Sequence, residues 1–161
     1  MPTFDVSIKV NEVEVRNAIA HVKKEIANRF DFKGTCADVT NSEHEIVCTG
    51  ENEFQIDQIN EIIFSKFGKR GLDARVLKTR ETVKTASDKI KRTIDVANGI
   101  STEEAKKIIK ALKSKKLKVQ SSINGSIVKV SSNKRDTLQE TISFLKKEFP
   151  SLPLTFDNFR D

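Results

Sequence analysis

The apolar and polar positions along this chain pass through one succession of patterns twice. In residues 4–80, alternation over 4–10 predicts a strand, helical spacing over 11–30 predicts a helix, and the polar residues 41–43 predict a hairpin turn. A second stretch of helical spacing and a further strand complete this half. The order strand, helix, two strands, helix, strand is that of the ferredoxin-like β-α-β-β-α-β unit.

Residues 88–161 repeat this order. Alternation over 89–96 predicts a strand, which is followed by a helix from Ser101, a hairpin turning at Asn124 and Gly125, a helix from Asn133 and a final extended stretch. Because a repeated pattern of this length indicates internal duplication, the chain is predicted to be an α+β protein of two ferredoxin-like units.

Each predicted helix carries one apolar stripe, as a helix covering one face of a sheet requires. The stripes are Val15, Ala18, Ile19, Val22 and Ile26; Ile56, Ile59, Ile63 and Phe67; Ala105, Ile108, Ile109 and Leu112; and Leu138, Ile142, Leu145 and Phe149. Asn11, with Glu14 three residues later, and Ser101, with Glu104, are predicted helix caps, and both follow a strand.

The strands alternate in a way that leaves one sheet face for the helices and one polar face. Val6, Ile8 and Val10 alternate with Asp5, Ser7 and Lys9, and Leu117, Val119 and Ser121 alternate with Lys118, Gln120 and Ser122. The polar face is therefore the expected binding surface.

Length and composition fit a pair of small domains. The 161 residues are 37% hydrophobic and 32% charged, and no apolar run approaches the roughly 20 residues that span a bilayer. The N-terminal residues lack a basic segment followed by an apolar stretch, so no export signal is expected. We expect a cytoplasmic protein with reduced thiols and no membrane contact.

The two cysteines, Cys36 and Cys48, are equidistant from a turn centred on Ser42. They could face each other across the hairpin and are expected to be buried and reduced, with a redox pair as the alternative. The chain has two histidines, His21 and His44, and neither lies in a ligand cluster. No metal site is expected.

Positive charge is concentrated in the second half. Through residue 85 there are 13 Lys and Arg against 14 Asp and Glu, and from residue 86 there are 16 against 9. One lysine-rich run could bind a nucleic-acid backbone or a phosphorylated ligand, or could simply be a solvated helix face. Its members are Lys106, Lys107, Lys110, Lys113, Lys115, Lys116 and Lys118.

No phosphate loop, dinucleotide fingerprint, nucleophile elbow or zinc-helix motif is present. The sequence therefore favours a binding protein over an enzyme, and no cofactor is expected. Proteins with RNA-recognition motifs stack bases on aromatic residues of the central strands, but residues 44–49 and 126–131 contain none. Of Phe30 and Phe32, only one is expected to point inward. Affinity would then depend mainly on phosphate contacts and hydrogen bonds.

The chain resembles the bacterial YajQ family over its whole length. The similarity is carried by motifs that begin with the opening Met1-Pro2-Thr3-Phe4-Asp5 and close with the ending Phe156-Asp157-Asn158-Phe159-Arg160-Asp161. Between them lie Glu14-Val15-Arg16-Asn17-Ala18, Arg29-Phe30-Asp31-Phe32-Lys33-Gly34, Lys69-Arg70-Gly71, Gly99-Ile100, Ala105-Lys106-Lys107-Ile108, Leu117-Lys118-Val119-Gln120, Lys134-Arg135-Asp136 and Leu138-Gln139.

The resemblance implies two ferredoxin-like domains that exchange their N-terminal strands. The first would comprise residues 11–87 completed by strand 88–96, and the second residues 97–161 completed by strand 3–10. It further implies a non-enzymatic nucleotide- or nucleic-acid-binding protein of the bacterial cytoplasm. Some members bind cyclic di-GMP and act with a transcription factor. An RNA- or ribosome-associated protein and an adaptor for protein interactions remain alternatives.

The candidate ligand residues are basic or amide side chains. Lys118, Gln120 and Lys129 are out of phase with the apolar strand positions. Lys134 and Arg135 lie at the start of a predicted helix, where the helix dipole adds to the attraction for a phosphate. The full set, with Arg29 and Lys33 bracketing the Phe-Asp-Phe motif, is Lys118, Lys129, Arg135, Lys134, Gln120, Arg29 and Lys33.

Overall fold

A computed structural model describes all residues, 1–161. In the first half, the strands are β1 (Thr3–Ser7), β2 (Asp38–Ser42), β3 (Glu45–Gly50), β4 (Leu77–Thr79) and β5 (Val83–Lys84), and the helices are α1 (Glu12–Asn28) and α2 (Glu53–Lys69). In the second half, the strands are β6 (Ile90–Val96), β7 (Gln120–Asn124), β8 (Ile127–Ser131) and β9 (Thr155–Arg160), and the helices are α3 (Thr102–Ser114) and α4 (Arg135–Glu148).

The chain divides into two compact units. The first unit is Val10–Ala97, and the second unit is Met1–Lys9 together with Asn98–Asp161. Each contains one antiparallel sheet and two helices. The predicted α+β class with two ferredoxin-like units is thus confirmed. The exact domain limits proposed from the sequence stay a prediction, which expression of separate fragments would test.

The first unit has the strand order β2-β3-β6-β4, with β5 also pairing to β6. Its core lies between this sheet and helices α1 and α2, and every member of the two predicted stripes is buried. Facing them from the sheet are Ile46 and Cys48 of β3 and Ile94 and Val96 of β6.

The second unit has the strand order β7-β8-β1-β9. Its core contains Phe4 and Val6 of β1 and Val128 and Val130 of β8, with Ile108, Leu112, Leu138 and Leu145 from the helices. The Phe4 ring stacks on Phe159 at 5.7 Å between centroids and tilts against Phe156 at 6.0 Å.

The N-terminal strands of the two repeats are exchanged. Strand β1 pairs with β8 and β9 of the second unit, although in the sequence it leads into α1 of the first unit. Strand β6 pairs with β3 and β4 of the first unit, although it leads into α3 of the second. Each exchanged strand lies inside its sheet, so neither sheet is complete without a strand contributed from the other repeat.

The predicted caps are confirmed. The Asn11 side chain accepts hydrogen bonds from the backbone N–H groups of Val13 and Glu14, at 3.1 and 3.2 Å. Ser101 and Glu104 form a reciprocal capping box, with both bonds at 3.1 Å. Helix α4 begins at Arg135, two residues later than predicted, with Lys134 at the cap position and no side-chain cap bond.

The predicted pivot of the first hairpin on Ser42 is wrong. Ser42 pairs with Glu45, so the turn consists of Glu43 and His44, and His44 takes a φ of 62°. Cys48 therefore lies opposite Val39 instead of Cys36. Cys48 is buried as predicted, whereas Cys36 is only half-buried, because it precedes β2 and its N–H donates to Glu51 at 2.9 Å.

No helix combines the length and the apolar character that crossing a membrane requires.

Candidate functional site

The polar face of the second unit's sheet carries a row of side chains directly opposite one another. From β7 to β9 the row is Ser122, Lys129, Asp5 and Asp157. Gln120 lies two residues before Ser122 and so shares this face, next to Ser131 of β8. The strand alternation thus places Gln120 and Lys129 together, as the sequence predicted.

Two polar residues on this face are buried. Asp5 is 9% and Ser7 is 3% exposed, whereas Lys129 of β8, which also has a strand on each side, is exposed. The Asn158 amide donates to one carboxylate oxygen of Asp5 at 2.8 Å. The other carboxylate oxygen and the Ser7 hydroxyl have no hydrogen-bond partner. The expectation of an exposed polar face is therefore wrong at β1 and holds at β7 and β8.

Lys118 does not lie on the sheet, because β7 begins only at Gln120. A tight turn precedes the strand, in which the Val119 N–H donates to the Leu117 carbonyl at 2.8 Å. The Lys118 side chain is exposed, and its carbonyl accepts from the Ser132 hydroxyl at 3.0 Å.

Ser132 joins three segments at this end of the sheet, and the sequence reasoning missed it. Besides its bond to Lys118, its hydroxyl accepts from the Lys134 N–H at 3.4 Å, and its own N–H donates to the Pro2 carbonyl at 3.1 Å. The side chain is 3% exposed. A hydroxyl residue shortly before a predicted helix was the available signal, since such residues commonly bind backbone groups at helix starts.

We call Lys118, Lys134, Arg135 and Arg160 the basic end of the second unit. Lys134 and Arg135 begin α4, and Arg160 is paired in register with Thr3 of β1. The first-turn N–H groups of α4 have no side-chain cap. This end therefore offers both positive side chains and backbone donors to an anion.

One of these cations is already neutralised. The Arg135 guanidinium forms a two-pronged pair with the Asp161 carboxylate, and its Nε donates to Oδ1 at 2.9 Å. Both side chains are exposed, and they line a shallow groove of about 270 Å³ with Leu138 and Phe159. A phosphate could reach Arg135 only in competition with Asp161. Lys118, Lys129 and Lys134 form no ion pair, and Asp5 lies directly opposite Lys129 on the sheet.

Arg29 and Lys33 belong to the first unit and are not part of this cluster. Arg29 is held by two hydrogen bonds to Asp31, at 2.7 and 3.0 Å, and its guanidinium lies 4.9 Å from the Phe32 ring centroid. The hydrogen bonds from Arg29 lower the pKa of Asp31 and raise that of Arg29. Phe32 points inward at 3% exposure and Phe30 outward at 88%. Arg29 therefore stabilises the turn, and of the two candidate ligand residues here only Lys33 is exposed.

Charge pairing differs sharply between the units. The first unit has 15 basic and 15 acidic residues, and the second has 14 basic and 8 acidic, so the second carries the whole net charge of +6. In the second unit, the basic side chains of Lys9 and Arg135 form ion pairs. In the first unit, most of the basic side chains are paired: Arg29, Lys66, Arg70, Arg75, Arg80, Lys84, Lys89 and Arg92.

A groove of about 350 Å³ in the first unit has the opposite character. Glu12, Arg16, Glu43 and His44 line it at the start of α1 and the β2–β3 turn. The two ring nitrogens of His44 lie 3.9 Å from Glu12 and 3.8 Å from Glu43. With two carboxylates beside one arginine, this groove is a poor phosphate site.

No three His, Cys, Asp or Glu side chains are grouped so as to hold a metal ion.

A family model described as "Nucleotide-binding protein YajQ-like" matches residues 2–160. The match spans both units and includes the basic end. The resemblance found in the sequence is therefore confirmed, and the chain belongs to the YajQ-like family of nucleotide-binding proteins.

Proposed function

We propose that this chain is a non-enzymatic protein that binds a phosphate-bearing nucleotide ligand, such as cyclic di-GMP or RNA, on its second unit. The observation that carries the proposal is the excess of unpaired cations on that unit. A cation without an acidic neighbour gains more from an incoming phosphate than one that must first give up an ion pair.

The basic end supplies the geometry for phosphate binding. Ser132 ties the backbones of Lys118 and Lys134 together, so these two lysines flank the uncapped start of α4. Free N–H groups and the positive end of the helix dipole favour an anion there. The phosphates of the ligand would lie between these lysines and the first turn of α4.

The exposed strands β7 and β8 would contact the rest of the ligand. Gln120 can donate and accept hydrogen bonds, which suits the edge of a base, and Lys129 lies on the same face. No aromatic residue occurs in β7 or β8. Base recognition would thus depend on hydrogen bonds, and affinity mainly on phosphate contacts.

The same reasoning favours binding without chemistry. The sequence offers no known catalytic motif, and the basic end presents cations and amides without a nucleophile activated by an adjacent base. We propose that the protein works in the cytoplasm by changing a partner's activity when the ligand binds, and that a transcription factor is such a partner. Incubating the full chain with its nucleotide should leave the nucleotide intact, as measured by chromatography.

Affinity measurements on the full chain test the site. Labelled cyclic di-GMP and a short single-stranded RNA would be titrated with the parent and with Lys118→Ala, Lys129→Ala and Lys134→Ala. Losing one desolvated phosphate contact costs about 1.5–3 kcal/mol, or roughly tenfold to a hundredfold in affinity. Lys23→Ala is the matched control, because Lys23 is an exposed lysine of the first unit. Three lysine variants that bind like the parent would refute the proposed site.

Salt dependence distinguishes the two ligands. RNA contacts many phosphates and releases many counterions, so its affinity should fall steeply with salt, whereas a cyclic dinucleotide should show a shallow slope. Weak, steeply salt-dependent binding of both would favour an RNA- or ribosome-associated role. If neither ligand bound nor raised the melting temperature, the adaptor role without a nucleotide would replace this proposal.

A further inference from the structure

A groove of about 490 Å³ lies on the helix side of the second unit, between α3 and α4. We call it the helix-face groove. Along α3 it is lined by Lys107, Lys110, Ala111 and Ser114, which recur at the spacing of one helix face. From the end of α4 it is lined by Phe144 and Phe149.

The duplicated first unit shows what is unusual about this groove. There, α1 and α2 pack against each other, as expected for two helices on one sheet face. In the second unit, α3 and α4 make few close backbone contacts with each other. The two helices are therefore more widely spaced in the second repeat than in the first.

The floor of the groove is apolar. Phe144, Phe149 and Ala111 are all only half-buried. The Lys115 ammonium is 5.9 Å from the centroid of the Phe144 ring. This cation lies over one face of the ring.

The rim of the groove is positive. Lys107, Lys110 and Lys115 form no ion pair, and Glu148 is the single acidic residue among the lining side chains. An occupant needs apolar side chains for the floor and negative charge for the rim. A helix with apolar residues at i, i+3, i+4 and i+7 and carboxylates beside them combines both.

We propose that the helix-face groove docks an acidic amphipathic helix of a partner protein. The partner's apolar stripe would lie over Phe144, Phe149 and Ala111, and its carboxylates would reach Lys107 and Lys110. The apolar floor between the two helices favours this partner over nucleic acid. The groove and the basic end involve different side chains, so this inference does not depend on the nucleotide site.

A designed peptide tests the proposal on the full chain. The probe is a synthetic amphipathic helix with Leu at the apolar positions and Glu flanking them, labelled for fluorescence anisotropy. One control peptide has every Glu replaced by Lys, and another has the same composition in scrambled order. Saturable binding of the first peptide alone is expected, and comparable binding of either control would overturn the proposal.

Matched charge reversals locate the contact. The double variant Lys107→Glu with Lys110→Glu reverses two lining lysines. The control, Lys106→Glu with Lys113→Glu, makes the same change in net charge on the same helix, outside the lining residues. The groove variant should lose roughly tenfold or more in peptide affinity and the control at most about threefold. Both should keep the parent's helical circular dichroism, because all four lysines are exposed.

Two further outcomes would overturn the proposal. Equal losses in both double variants would mean that the peptide senses only the overall charge of α3. A single-stranded RNA that lost affinity in the groove variant, while the peptide did not, would assign the groove to nucleic acid.

Discussion

Replacing Gly99 with Ala should unfold the second unit more easily, because no other residue fits this junction. Gly99 lies between β6 and α3, takes a φ of +95°, and donates its N–H to the Ile8 carbonyl next to β1. A Cβ built there would come within 2.8 Å of the Ser126 Cβ, on the β7–β8 turn. The substitution therefore tests directly whether the junction before α3 packs against this turn.

Two costs add at this position. A side chain at positive φ costs about 1–2 kcal/mol, and forcing a contact of this kind costs typically about 1–3 kcal/mol more. Gly125→Ala separates them, because Gly125 has a φ of +62° and open space around its Cβ. We expect a loss of about 1–2 kcal/mol in the unfolding free energy for Gly125→Ala and roughly 2–5 kcal/mol for Gly99→Ala.

Urea unfolding followed by circular dichroism gives both values, and a double-mutant cycle isolates the contact. Ser126→Gly removes the Cβ that the new side chain would meet. In the Gly99→Ala background it should recover the contact term while leaving the cost of the positive φ. If Gly99→Ala cost no more than Gly125→Ala, and Ser126→Gly restored nothing, the close packing of the β6–α3 junction against the β7–β8 turn would be refuted.

Three other outcomes are expected. A thiol reagent should modify Cys36 slowly in the native protein and Cys48 only after unfolding, since burial raises the pKa of Cys48 to about 12. Mass spectrometry of the labelled chain measures both rates. Rapid modification of both cysteines in the native protein would contradict this prediction. The hydrogen bond from the Cys36 N–H lowers the pKa of Glu51 in the folded protein, so the stability that Glu51 contributes is fully present above about pH 4.3 and is lost as the pH falls through the lower folded pKa. The unfolding free energies of Glu51→Gln and the parent should therefore converge in acid. A gap between them that stays constant with pH would refute this linkage. Asp161→Asn should free the Arg135 guanidinium and raise nucleotide affinity by titration calorimetry, whereas unchanged affinity would exclude Arg135 from the site.

The sequence alone determined the elements and their order. Helix starts at Asn11 and Ser101 could be predicted because a capping side chain bonds to backbone within three residues of itself. The buried stripes could be predicted because helical and strand periods place apolar residues on one side. Gln120 and Lys129 could likewise be assigned to one sheet face from alternation.

Side-chain pairing across the chain could not be predicted from these local signals. Arg135 was a candidate phosphate ligand, but Asp161, which pairs with it, lies 26 residues away. Asp5 and Ser7 alternate as exposed residues would, yet both are buried in the folded chain. The register of the first hairpin was missed because a turn of Glu43 and His44 has no glycine or asparagine to mark it.

The exchange of strands is a feature that local sequence patterns do not determine and tertiary contacts do. The strand patterns of 4–10 and 89–96 are almost alike, and nothing local says which sheet each one joins; only the family resemblance indicated the exchange. Tertiary structure decided it, because each strand must satisfy the backbone hydrogen bonds of two neighbours at once. Tertiary packing also decided that α1 and α2 lie closer together than α3 and α4, between which the helix-face groove lies. The pattern of apolar positions does not distinguish these two helix pairs.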